Sequence, residues 1–166
     1  MKSIGETEIL QILDQFKDFD EPYPVIIISG LKVNPLPAEF MSGIARAAYR
    51  TDAVIIDNGV KTGIEPNAIM KTLKLFGIAP EREIKYPKIN PTITEQTELA
   101  NGHSHLFIIA DPNEKYDKWG SEAKLKFLLA NCISKGTLNK KATGTTTCKK
   151  VVVCFGEDKK VLDDIK

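Results

Sequence analysis

The residues whose types and spacing could do chemistry gather first in "DAVIIDNGVKTGIEPNAIM", Asp52 to Met70. An apolar run ends there at Asp57-Asn58-Gly59, passes Thr62 and Gly63, and meets Pro66, a residue suited to the first turn of a helix. In such a turn Gly59 lets backbone approach a ligand without a Cβ, Thr62 offers a hydroxyl, and Gly63 permits a positive φ. The N–H groups of the turn and of the helix behind it would face an anion, which makes the layout a cradle for phosphate. The spacing matches neither the GxGxxG dinucleotide fingerprint nor the Walker pattern ending in Gly-Lys-Ser/Thr. A plain strand-to-helix corner uses the same residue types, so this stretch alone leaves both readings open.

Two more glycines follow apolar runs, Gly30 in "VIIISGLK" and Gly156 in "VVVCFGEDKK". Three strands ending in Gly at one edge suit a shared cleft, because the crevice of an open parallel sheet forms there. Glu157 and Asp158 would repel a phosphate at the last turn, which therefore suits a ribose hydroxyl or water. His103 and His105 are two apart and would share one face of a strand, a spacing that could serve a metal. With no third ligand nearby, their expected role is structural, and neither a metal nor a cofactor is expected.

Trp119 is the only tryptophan, set in a polar loop beside Lys115, Tyr116, Lys118 and Gly120. It is either a binding element or a cap on the apolar face of the next helix. Arg46 and Arg50 lie one helical turn apart and read as a solvated face rather than a phosphate clamp. No Cys–His or Ser–His–Asp constellation is evident and no catalytic residue is assigned. Asp57, Glu65 and Glu157 are the acids an enzyme would have near the presumed cleft.

The elements that must position these residues follow from the apolar pattern. Glu6 to Phe19 places Ile9, Leu10, Ile12, Leu13 and Phe16 at helical spacing. "VIIISG" is too uniformly apolar to have a wet face, the pattern of a central parallel strand. "AEFMSGIARAAYRTD" carries Phe40, Ile44, Ala47 and Ala48 on one stripe, and "AVIID" is a second buried strand. A helix from about Pro66 to Leu75 and the strand "LFGIA" complete a second unit, so the alternation predicts an α/β fold with a doubly wound, mostly parallel sheet and helices on both faces. The proline-punctuated "PEREIKYPKINPTITEQTELANG" is too long for an ordinary connection and reads as an insertion or a functional loop. The strand "HSHLFIIAD", the helix "EAKLKFLLANCIS" and the strand "KKVVVCFG" follow, with a flexible polar link before the last. The final "EDKKVLDDIK" reads as a helix that stops almost as it starts, as in a chain cut from something longer or an abbreviated domain.

The bulk numbers bound the possibilities. A chain of 166 residues suits one domain, residues 1–166, able to bury a core without staples. With 23 Lys+Arg against 22 Asp+Glu there is no broad basic footprint for nucleic acid or an anionic membrane. Three cysteines without CxxC pairing fit a reducing, cytoplasmic setting. No run approaches the roughly 18 apolar residues of a membrane helix.

In order along the chain, "PVIIISG", "IARAAYRTDAVIIDNGVKTGI", "FGIAP", "NGHSHLFIIAD", "KWGSEAKLKFLLANCIS" and "KKVVVCFGED" resemble the SLOG (LSDAT) domain of melastatin-type TRP channels and its prokaryotic relatives. The similarity runs from about Ile9 to Ile165, and "GIAP" and "HSHLFII" are its most specific parts. The resemblance implies a Rossmann-like sheet sandwich related to the Lonely Guy proteins. It also implies a sensor of a small nucleotide-derived signal such as ADP-ribose or cyclic ADP-ribose, relayed to an attached or associated channel or defence effector, with a homo-oligomer expected.

The resemblance places ligand contacts at Gly30, Asn58, Gly59, Thr62, Gly63, Trp119, Gly120, Lys126 and Gly156. Where the family often has Gly-Gly-Thr in the second loop, this chain has Asn58-Gly59-Val60. Trp119 before Gly120 matches an aromatic that helps hold adenine or ribose, and Lys126 stands where the channels have arginine. Lysine supplies charge to a diphosphate without arginine's bidentate fork. The alternative is a nucleotide N-glycosidase acting on AMP or NAD-type substrates. Against it, "FGEDKKVLDD" lacks the paired glycines and threonine of the phosphoribohydrolase loop PGGxGTxxE.

Overall fold

The computed structural model describes residues 6–15, 21–29, 38–61, 73–85, 96–110, 120, 122–136 and 147–155. Among them are helix α1 (Glu6–Leu13), strand β1 (Val25–Ser29), helix α2 (Ala38–Thr51), strands β2 (Val54–Asp57), β3 (Leu75–Pro80) and β4 (His105–Ile109), helix α3 (Glu122–Lys135) and strand β5 (Lys150–Cys154). The five strands form one sheet in the order β4-β3-β2-β1-β5, and every described pairing is parallel. The doubly wound α/β reading therefore holds, with an all-parallel sheet among the described residues.

Strands β1 to β3 are apolar on both faces because both faces are covered. Val25, Ile27, Val54, Ile56, Phe76 and Ile78 pack under α1 and α3 through Ile9, Leu13, Leu129 and Ile133. The alternate residues Ile28, Ile55 and Leu75 pack under α2 through Met41, Ile44, Ala45 and Ala48. The chain steps outward from β1 to β4, then reverses to lay β5 beside β1. Crossovers of one hand put the returning helix α3 on the face opposite α2, and the strand order reverses between β1 and β5, the position at which open parallel sheets commonly receive ligands.

Several expected boundaries shift, and three of the shifts have a visible cause. Helix α1 stops at Leu13, where the Gln15 N–H bonds the Ile12 carbonyl at 3.2 Å and tightens the last turn, so Asp14 and Gln15 are not helical. Leu75 is not the end of a helix but the first residue of β3, held by its register with Ile55 and by the Ile55 N–H bond to the Lys74 carbonyl at 2.9 Å. Leu73 and Lys74 are not helical either, and the rest of that expected helix, 66–72, lies outside the described residues, as do 16–19 and the last segment, 156–166. Strand β4 begins at His105 rather than His103, because the Ser104 N–H and hydroxyl bond the Leu75 carbonyl and His103 turns aside.

The long connection after β3 is clasped at its base. A 3₁₀ turn at Glu81–Glu83 is followed by bonds from the Thr97 N–H to the Glu83 carbonyl at 2.8 Å and from the Lys85 N–H to the Thr97 carbonyl at 3.0 Å. Residues 98–100 then lie antiparallel to the turn after β2, with Lys61 N–H to Glu98 O at 2.9 Å and Ala100 N–H to Gly59 O at 3.0 Å. Val60, Ala79 and Ile84 form a small core of their own beneath this clasp.

Candidate functional site

At the carboxyl edge of β1 and β2 the structure buries a lysine. Lys126, in the second turn of α3, is 1% exposed. Its ammonium donates to the Asn58 Oδ1 and, at 3.4 Å, to the Ile28 carbonyl. Lysine can only donate, so the amide oxygen of Asn58 must face it. Burial holds the Lys126 pKa below the ordinary lysine range, while Glu122 and Asp57 pull the other way through space. Neither carboxylate pairs with it directly. Glu122 instead accepts the Gly120 N–H at 2.5 Å ahead of α3, and Asp57 is engaged elsewhere.

Asp57 closes β2 and is fully buried. Its Oδ1 accepts the Gly59 N–H at 2.7 Å, an aspartate turn that bends the chain out of the strand. The same oxygen meets the His103 Nε2 at 2.8 Å. Burial alone would lower the His103 pKa, but the hydrogen bond and charge of Asp57, aided by the Ala100 carbonyl, outweigh it and the value is raised. Asp57 Oδ2 and His103 Nδ1 are buried with no hydrogen-bond partner among the described residues. This is a carboxylate–imidazole pair with one unused polar atom on each side.

The turn is shaped by close backbone approach. Gly59 has φ +68°, and a Cβ there would come within 2.7 Å of Leu106 Cδ1 and 3.1 Å of Gly77 Cα. A Cβ on Gly77 would sit 2.6 Å from Gly59 Cα. Gly59 is thus required by its neighbours β3 and β4, and its N–H is spent on Asp57. The Gly120 N–H is spent on Glu122.

Of the nine residues expected to touch ligand, the structure brings Asn58, Gly59 and Lys126 together and sets Gly120 just before α3. Gly30, Thr62, Gly63, Trp119 and Gly156 lie outside the described residues, as do the candidate acids Glu65 and Glu157. His103 and His105 do not act as a pair: the His105 ring packs at a tilt against Phe76, centroids 4.6 Å apart, and its Nδ1 contacts the Ser104 hydroxyl. Arg46 and Arg50 are exposed on α2, as the solvated-face reading expects.

Two partnerships escaped the sequence reading. The Asp57–His103 contact joins residues distant in the chain, and its only local trace is an acid ending an apolar run two residues before Gly59. Glu122 as a partner for Gly120 had a clearer signal, since an acid in the first turn of a helix serves free N–H groups.

A family model described as SLOG in TRPM, prokaryote, matches residues 23–166. No curated protein matches the chain.

Proposed function

The chain belongs to the SLOG family, which carries a nucleotide-related ligand-binding or glycosidase-like role, and from that premise we propose that it is a sensor of a nucleotide-derived signal of the ADP-ribose or cyclic ADP-ribose kind. The observation that supports this reading is Lys126, a buried ammonium at the carboxyl edge whose acceptors among the described residues are both neutral. A buried cation without a counter-charge is costly, and a phosphate oxygen is the counter-charge such an edge is suited to receive. In this reading the diphosphate meets Lys126 and the loops carrying Gly30 and Thr62, and adenine or ribose packs by Trp119. Gly59 and Gly63 shape the turn, Gly120 and Gly156 border the cleft, and an attached or associated effector in the cytoplasm reads the bound state.

The test is calorimetry and thermal shift with ADP-ribose, cyclic ADP-ribose, AMP and NAD. A true ligand at a hundred times its dissociation constant stabilises the fold by about 2.7 kcal/mol. No shift with any of the four overturns the sensor reading.

One observation favours a second reading, an N-glycosidase. Asp57 is oriented by His103 and the Gly59 N–H, and its Oδ2 has no hydrogen-bond partner among the described residues. A carboxylate so held could assist departure of a base from an AMP or NAD-type substrate. Release of free base that vanishes in Asp57→Asn would establish it, and absence of release would dismiss it.

A further inference from the structure

A buried ammonium gains most from an anionic acceptor, because a charge-assisted bond to an oxyanion is stronger than one to a neutral amide. Among the described residues none is bonded to Lys126. The two carboxylates that act on it through space are committed to other donors, Glu122 to the Gly120 N–H and Asp57 to the Gly59 N–H and His103. What meets the ammonium is the Asn58 side chain and a main-chain carbonyl. The carbonyl belongs to Ile28 within β1 and is fixed by the sheet, whereas Asn58 lies just past the last residue of β2 and meets the ammonium through its side chain.

We propose that Asn58 is an internal stand-in for the ligand's anion: its amide oxygen occupies the place on Lys126 that a phosphate or pyrophosphate oxygen takes, and binding displaces it. The inference rests on the reading of Lys126 as the anion anchor and makes Asn58 a competitor for that anchor rather than a ligand contact. Displacement has a mechanical outlet. Asn58 lies between Asp57, tied to His103, and Gly59, whose carbonyl accepts the Ala100 N–H of the clasp. Releasing Asn58 therefore perturbs the turn to which residues 98–100 are bonded.

The experiment is calorimetric titration of the full chain with inorganic pyrophosphate and with ADP-ribose, for the parent, Asn58→Ala and Asn58→Asp, each first shown to melt cooperatively. Removing the competitor in Asn58→Ala tightens binding by about tenfold, the effect of one net hydrogen bond to a charged group. Placing a carboxylate against Lys126 in Asn58→Asp weakens binding by at least about tenfold. If the parent binds ADP-ribose and Asn58→Ala binds it equally or more weakly, the stand-in idea is overturned while the sensor reading survives. If only Asn58→Ala binds, and binds pyrophosphate alone, the stand-in holds and the ADP-ribose reading fails. Should Asn58→Ala not fold, Asn58→Asp decides, and undiminished binding there sinks the proposal. Binding by none of the three overturns it as well.

Discussion

The Asp57 carboxylate and the His103 imidazole meet at 2.8 Å across the end of β2 and the turn before β4, both shielded from solvent. The His103 pKa is raised from its ordinary 6.5. A histidine that holds its proton more tightly in the folded state stabilises that state fully below its unfolded value, and this contribution fades as pH climbs through the folded value. Urea unfolding across pH is therefore expected to show stability declining above 6.5, and His103→Gln should remove that decline. An unchanged profile in the variant would mean the pair does not carry the proton.

The contact between Gly59 and Gly77 makes a prediction about backbone packing. Gly77→Ala pushes a methyl group against the Gly59 Cα, which cannot yield, and should cost about 2–3 kcal/mol. Gly59→Ala adds a left-handed backbone penalty of roughly 1–2 kcal/mol to its clash with Leu106. Leu106→Ala in the same chain should recover part of the Gly59→Ala loss and less of the Gly77→Ala loss. Chemical denaturation of the four variants checks the ranking.

Lys126→Met separates stability from binding. It relieves a buried charge and strands the Asn58 amide oxygen, terms of opposite sign that should leave unfolding free energy within about 1 kcal/mol of the parent. Pyrophosphate and ADP-ribose binding should be lost. A folded Lys126→Met protein that binds as the parent does would move the anion anchor elsewhere.

Thr97→Pro deletes the N–H that bonds Glu83 and should open the base of the long connection, at a cost of about 1–3 kcal/mol. Hydrogen exchange is the direct readout: the Lys85, Lys61 and Ala100 amides should exchange faster in the variant, while those of β1 and β2 keep their protection. Uniform acceleration would show that the clasp and sheet open as one unit.

The sheet was legible because buried parallel strands are apolar on both faces, and "VIIIS", "VIID" and "LFGIAP" are bounded by turn residues. Helices α2 and α3 came within a residue of their expected ends, but the expected core stripe of α2 was half wrong: Ile44 and Ala48 are buried, whereas Phe40 and Ala47 are exposed and Met41 and Ala45 face the sheet instead. Strand order was not legible, because periodicity records which face a residue turns inward but not which strand lies beside it. His103 illustrates the limit. Its spacing from His105 predicts a shared face, yet Gly102 takes φ +103° and the bond to Asp57 draws the ring out of the strand. Lys126 shows another: the resemblance singled it out as a ligand contact, but nothing in the pattern of α3 marks it as buried or as the partner of Asn58.

That reversal also sets an order of assembly during synthesis. β1 leaves the ribosome before every other described strand of its sheet, and one of its two neighbours, β5, leaves after the rest, with Val25 paired to Lys150. Until β5 emerges, β1 keeps an open hydrogen-bonding edge lined by "VIIIS", the kind of surface that invites wrong partners in a growing chain. The β1–β5 junction is consequently completed only after the rest of the sheet has been made, and a chain stalled before Lys150 would display a sticky strand there.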